Sequence, residues 1–183
     1  MTPNPQINHQ KEIRSIRRAA NIGLYGTLAL GLLTLVEHYL AEHVWARQIV
    51  TNDYTHQLLY IAAPVLTVVG ISYILLMVRR QLPRVRQLDT VDEKLPHYRA
   101  VVRTVYAILL LVMFVCCAVV VITRENIVIM MMLLLFFMAV MNYPNMYKMK
   151  SDMGLLDDEM SDLFGDNYIR DHTSDDSNQS EES

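Results

Sequence analysis

"VYAILLLVMFVCCAVVVI", residues 105–122, decides the fold. Its 18 residues include nothing more polar than Tyr106, Cys116 and Cys117, so a helix built from them has no face to turn toward water. A soluble helical protein with very apolar core helices would need such a face. The run also approaches the roughly 20 helical residues that a hydrocarbon core of about 30 Å requires. It therefore reads as a transmembrane helix.

Two runs of the same kind come before it, at residues 19–36 and 58–78, and a shorter one follows at 127–141. Extended through Asn142 and Tyr143, the last reaches 17 residues, which spans if its polar ends snorkel or the bilayer thins. Of the 183 residues 52% are hydrophobic and 19% charged, and every Lys, Arg, Asp and Glu lies outside the four runs. Soluble domains carry nearer a quarter charged residues. The expected fold class is an all-α integral membrane protein with four transmembrane helices as two antiparallel hairpins, at about residues 19–40, 58–78, 101–123 and 127–143. A cleaved signal peptide is the competing reading of the first run, because Lys11, Arg14, Arg17 and Arg18 resemble a basic n-region. It fails because the apolar stretch outlasts an h-region, and Glu37 and His38 stand where a small-residue cleavage site belongs.

Orientation follows from Lys and Arg counted by connection. Residues 1–18 carry four, the 79–103 connection carries seven, and Lys148 and Lys150 follow the fourth run, whereas the other two connections hold only Arg47 and Arg124. By the positive-inside bias, both termini and the central connection are expected in the cytoplasm. Trp45 suits the outer interface. The compact layout suggests a bacterial cytoplasmic membrane.

The first hairpin has an outer connection of about 20 residues, room for a surface helix that turns Leu40, Val44 and Val50 to the membrane. In the second, only residues 123–126 separate the helices, and Asn126 is the residue expected to take the left-handed turn conformation. Pro83 and Pro144 follow the two hairpins, but nothing else aligns as a repeat. In the central connection, Thr90 or Asp92 can cap a helix beginning near Pro96, and the basic half suits anionic headgroups. A basic loop beside a membrane is expected whatever the protein does, so no nucleic-acid partner is inferred.

The tail reverses the charge. Residues 151–183 hold 11 acidic residues and one basic, Arg170. Within the 144–170 juxtamembrane segment, Leu156, Met160, Leu163 and Phe164 share one helical face behind Asp157, Asp158 and Glu159, with Gly165 as a stop; this short amphipathic helix is the expected partner-binding face. Residues 171–183 lack any apolar side chain and are expected to be disordered. An EF-hand is excluded by the spacing of the acids.

Candidate chemistry is sparse. His38 and Glu42 lie at i and i+4 near the first helix end, with His43 beside them and Asp53 and His56 able to fold back from the far end of the same loop. Zinc accepts such ligands. Polar residues within a turn of a helix end are cheap, however, so an interfacial ion pair is the expected role and no metal or cofactor is assigned. Adjacent Cys116 and Cys117 diverge on a helix and read as apolar packing, and the 12 Met residues as core filler rather than a copper site. More informative is the stripe Ala19, Gly23, Thr27 and Gly31, which exposes backbone every fourth residue for close helix approach. Ala63, Thr67 and Gly70 offer a matching surface on the second helix, so packing of helix one on helix two is expected.

No ionisable residue lies in the middle of any span, and no phosphate loop, HExxH or GxSxG is present. The sequence therefore points to a non-enzymatic accessory, scaffold or regulatory subunit acting through helix and tail contacts. Its partners would be the bilayer and another protein or further copies of itself. A small oligomeric transporter or channel is the alternative, and a metal-dependent membrane enzyme a third.

Overall fold

The computed structural model describes residues 5–41 and 53–165, which among themselves form six helices and no strand. Three are long: α1 (Pro5–Leu40), α2 (Asp53–Arg86) and α3 (Val91–Thr123). The other three, α4 (Asn126–Met141), α5 (Met146–Met153) and α6 (Asp157–Phe164), follow in close succession. At 1.5 Å per residue each long helix measures about 50 Å, roughly 20 Å more than a hydrocarbon core. All three are long and apolar enough to cross a membrane; α4, at 16 residues, is shorter, and matches them in length only when taken together with α5, which it meets at a 78° bend.

The surplus length lies where the sequence shows periodicity rather than continuous apolarity. In α1, Ile13, Ile16 and Ala20 are buried at three- and four-residue spacing, so the basic segment before residue 19 is already helix and feeds directly into the apolar run. Likewise α2 continues through Pro83 to Arg86, and α3 starts at Val91, with Thr90 at its N-cap position and Asp92 and Glu93 in its first turn. Pro96 thus sits inside α3 rather than at its start. Acids in that first turn complement the positive end of the helix dipole.

α3 is the hub. Its buried face runs its whole length through Tyr98, Val102, Leu109, Met113, Cys116 and Val120. α1 and α2 pack along it, and α4 packs on both α3 and α1. Between apolar helices in lipid there is no hydrophobic gain, so close van der Waals fit and buried hydrogen bonds hold the contact. The small residues supply that fit, but against a different neighbour than the sequence suggested. Gly23 lies under Tyr106, where an added Cβ would come within 2.6 Å of the Tyr106 Cβ and Cγ, and Gly70 lies 2.8 Å on the same measure from a methyl of Val112. Thr67 lies 3.4 Å from the Cys116 sulfur. Both stripes therefore face α3, whose apolar surface is covered by α1 and by α2. Ala20, Gly23 and Thr27 form the buried line on α1, while Ala19 and Gly31 sit at its half-buried margin.

Two phenols tie α4 into this arrangement. Tyr106 donates to the Ala139 carbonyl at 2.9 Å, and Tyr143 donates to the Asn21 side chain at 2.8 Å. The α3–α4 turn differs from expectation: Arg124, not Asn126, takes the left-handed conformation (φ 59°), and its N–H returns to the Val120 carbonyl at 2.7 Å. Asn126 is already the first residue of α4, which leaves the residue directly after α3 to reverse the chain.

Replacing Gly23 by Leu should lower stability by about 1–3 kcal/mol through overpacking against Tyr106. Thermal unfolding in mild detergent checks this, with exposed Ala29→Leu expected to leave the transition unchanged. An unaltered transition for Gly23→Leu would refute the close α1–α3 contact.

Candidate functional site

Where α1, α2 and α3 outrun their apolar stretches, at the end that holds the α3 N-terminus, α5 and α6 fold back on them and build a layer of paired charges. Arg99 lies 2.7 Å from Glu12 Oε2 and donates to Oε1 at 3.0 Å, joining α3 to α1. His9 and Asp92 meet at 2.6 Å. Lys94, only 6% exposed, has its ammonium 3.6 Å from Glu159 of α6. A lysine that deep needs its counter-charge, since an uncompensated buried ammonium is strongly destabilising.

The most buried part is centred on Asp152 of α5. Tyr98 donates to its Oδ2 at 3.0 Å, and Lys148 stands 3.6 Å from the same oxygen, one helical turn earlier. Burial first, and then the charge of Asp152 and the hydrogen bond to it, push the Tyr98 hydroxyl well above the usual phenol range. Tyr98 is therefore a fixed neutral donor. The cavity beside these groups measures about 20 Å³, room for about one water and no substrate. These contacts hold α5 against α3.

Arg86 completes the clamp from α2. Its Nε donates to the Asp152 carbonyl at 3.2 Å and its Nη2 to the Ser151 carbonyl at 2.8 Å, placing a cation at the C-terminus of α5. The chain then turns through Gly154 at φ 62°, with the Arg86 side chain 3.2 Å from where a Cβ would stand, so only glycine fits both constraints. α5 is the one helix the sequence reading missed. Its signals are visible in retrospect: Asn145 caps it by accepting from the Lys148 N–H at 2.7 Å, and Gly154 ends it.

α6 occupies the expected residues, with Gly165 behind it and Glu159 accepting from the Leu156 N–H at 2.9 Å. Its apolar face is not free. Met160 and Leu163 are buried in the core, and Phe164 is half-buried with the Arg17 guanidinium 5.8 Å over its ring. Of the four residues expected to bind a partner, only Leu156 is exposed. The reason is the helical start of α1, which supplies an apolar and cationic strip of this chain's own for α6 to cover.

At the opposite end, Glu37 and His38 are half-buried in the last turn of α1, and Arg124 donates to the Ala41 carbonyl at 3.3 Å, joining the α1 end to the α3–α4 turn. Glu42 and His43 lie outside the described residues, as do the side chains of Asp53 and His56, which belong to the first turn of α2. Among the described residues no group of three His, Cys, Asp or Glu is placed to hold a metal ion. Cys116 and Cys117 are buried and unbonded to each other, with the Cys117 thiol directed at the Leu30 carbonyl at 3.8 Å.

No protein-family model, curated protein or solved structure matches this chain.

Tyr98→Phe should lower stability by about 1.5–3 kcal/mol, because the buried Asp152 carboxylate loses a donor. A phenol whose pKa is raised by folding contributes stability that is complete below its unfolded value near 10 and is lost as pH rises beyond it. Unfolding followed as a function of pH should therefore show an alkaline loss that Tyr98→Phe diminishes. Equal stability of the two proteins at pH 7 would contradict the clamp.

Proposed function

We propose that the chain is a four-span membrane protein with both termini in the cytoplasm, acting as a non-enzymatic subunit through contacts rather than chemistry. Hydrogen bonds to α1 support the fourth crossing. Arg124, before α4, is joined to the far end of α1 at Ala41, whereas Tyr143, after α4, is joined to Asn21 nearer its start. A chain that travels from one end of α1 toward the other over α4 has recrossed most of the bilayer. The cationic segments then fall together on one side, as the positive-inside bias requires.

The observation that carries the contact role is where the polar groups of the spans are spent. Thr27, Thr34 and Thr67 donate to carbonyls of their own helices, at 2.8 to 2.9 Å, and Tyr106 to Ala139. Each of these four hydroxyls has its proton committed within the fold. Meanwhile α2 turns Ile61, Val65, Val68, Leu75 and Leu76 outward, a broad apolar face for lipid or for another membrane helix. The acidic residues after Gly165 add, by their charge, a point of attachment for a basic partner on the cytoplasmic side.

Native mass spectrometry of the protein extracted from its own host in mild detergent tests this reading. A heteromer of fixed stoichiometry, weakened when residues 166–183 are removed, is the expected result. A homo-oligomer that conducts ions or solutes in liposomes would replace it with the transporter reading.

A further inference from the structure

Two cavities lie on the same seam between α1 and α4. Nearer the charged layer is a cavity of about 500 Å³ lined by Asn21, Tyr25, Tyr143, Asn145 and Lys148. Further along is an apolar groove of about 360 Å³, with Leu28, Leu32 and Leu35 on one wall, Leu133 and Phe136 on the other, and Gly31 and Met113 among its lining. The helices run antiparallel, and Tyr25, Leu28, Leu32 and Leu35 recur on one face of α1 as Ile129, Leu133, Phe136 and Val140 do on α4, so the two openings lie end to end along the seam, polar then apolar. From Leu24 to Leu35 it is about 16 Å long, close to the depth of one leaflet of a core about 30 Å thick.

From this juxtaposition we infer that the seam binds one anionic phospholipid of the cytoplasmic leaflet, its phosphate beside Lys148 and one acyl chain in the groove. This rests on the proposed membrane orientation. The polar end is cationic from two directions. The Lys148 ammonium pairs with Asp152 at 3.6 Å on one side but is partly exposed and carries three N–H donors, so donors remain for a phosphate oxygen. Exposed Arg18 and Arg14 continue the Asn21 face of α1 by one and two turns, where the headgroup would emerge. Asn21 and Asn145 add polar side chains to the same cavity. Asp152, the acid nearest Lys148, is held by Tyr98 and faces the core. A zwitterionic lipid brings its own cation into this cationic mouth and is disfavoured; an anionic one does not.

Native mass spectrometry of the detergent-purified protein with dioleoylphosphatidylglycerol or dioleoylphosphatidylcholine tests the site. One phosphatidylglycerol per chain is expected, retained at least about fivefold better than phosphatidylcholine, the scale of one basic residue at a membrane surface. Lys148→Gln should reduce retention to the phosphatidylcholine level and Lys148→Arg should keep it. Leu28→Trp with Leu32→Trp, which fills the groove at exposed positions without touching a charge, should also abolish it. Equal retention of both lipids overturns the proposal, as does a chain dimer without bound lipid, or loss of retention on Arg84→Gln, in the separate α2–α3 groove, instead of on Lys148→Gln. Recovery of the chain from cells without detergent would instead overturn the membrane reading itself.

Discussion

A peptide group in hydrocarbon has no water to bond, so every N–H and C=O there must find its partner within the same helix or in a neighbour. This constraint shapes the molecule outward from α3, whose central turns carry no charge and whose few polar atoms are all directed inward. Tyr106 bonds a carbonyl of α4 and Cys117 faces one of α1, while Cys116 lies against Thr67 of α2. Each flanking helix is thus fixed to the hub by one polar contact set among small residues that permit close approach. Charge is displaced to the helix ends, where it becomes structure of a different kind.

The charged layer turns that displacement into architecture. Buried Lys94, Tyr98 and Asp152 have cross-helix partners, so α5 and α6 belong to the folded body and not to a trailing segment. The arrangement joins the two ends of the chain, since α1 contributes Glu12 and Arg17 while α6 contributes Glu159 and Phe164. Outward apolar faces remain on α1, α2 and α4.

Much of this was legible in the sequence, and the parts that were not have physical reasons. Continuous apolar runs located the cores of α1 to α4, because exclusion of charge over some 18 residues has no other common cause. The amphipathic pattern ending at Gly165 located α6. Hydropathy is blind, however, to helices that continue beyond the bilayer, and so the start of α1 before residue 19 is not legible there, while the helix expected from near Pro96 begins a turn earlier, at Val91. Small-residue spacing revealed that Gly23 and Gly70 meet other helices but not which ones: partner choice depends on which helix can be covered on two sides. Leu156, Met160, Leu163 and Phe164 were recognised as one apolar face, yet its occupant proved to be within the chain, a long-range pairing that local pattern does not encode. Arg124 in a left-handed turn overrode the residue preference for Asn126.

In the proposed topology α4 recrosses the bilayer and brings α5 and α6 to the side of the α1 N-terminus. The most direct test is cysteine accessibility in sealed, right-side-out vesicles, with Cys116 and Cys117 replaced by Ala and single cysteines placed at Lys11, Glu125 or Ser161. A membrane-impermeant maleimide should label only the cysteine at position 125 in intact vesicles, and those at 11 and 161 only after permeabilisation. Labelling of 125 and 161 together in intact vesicles would make α4 a re-entrant segment of a three-span protein and contradict the account.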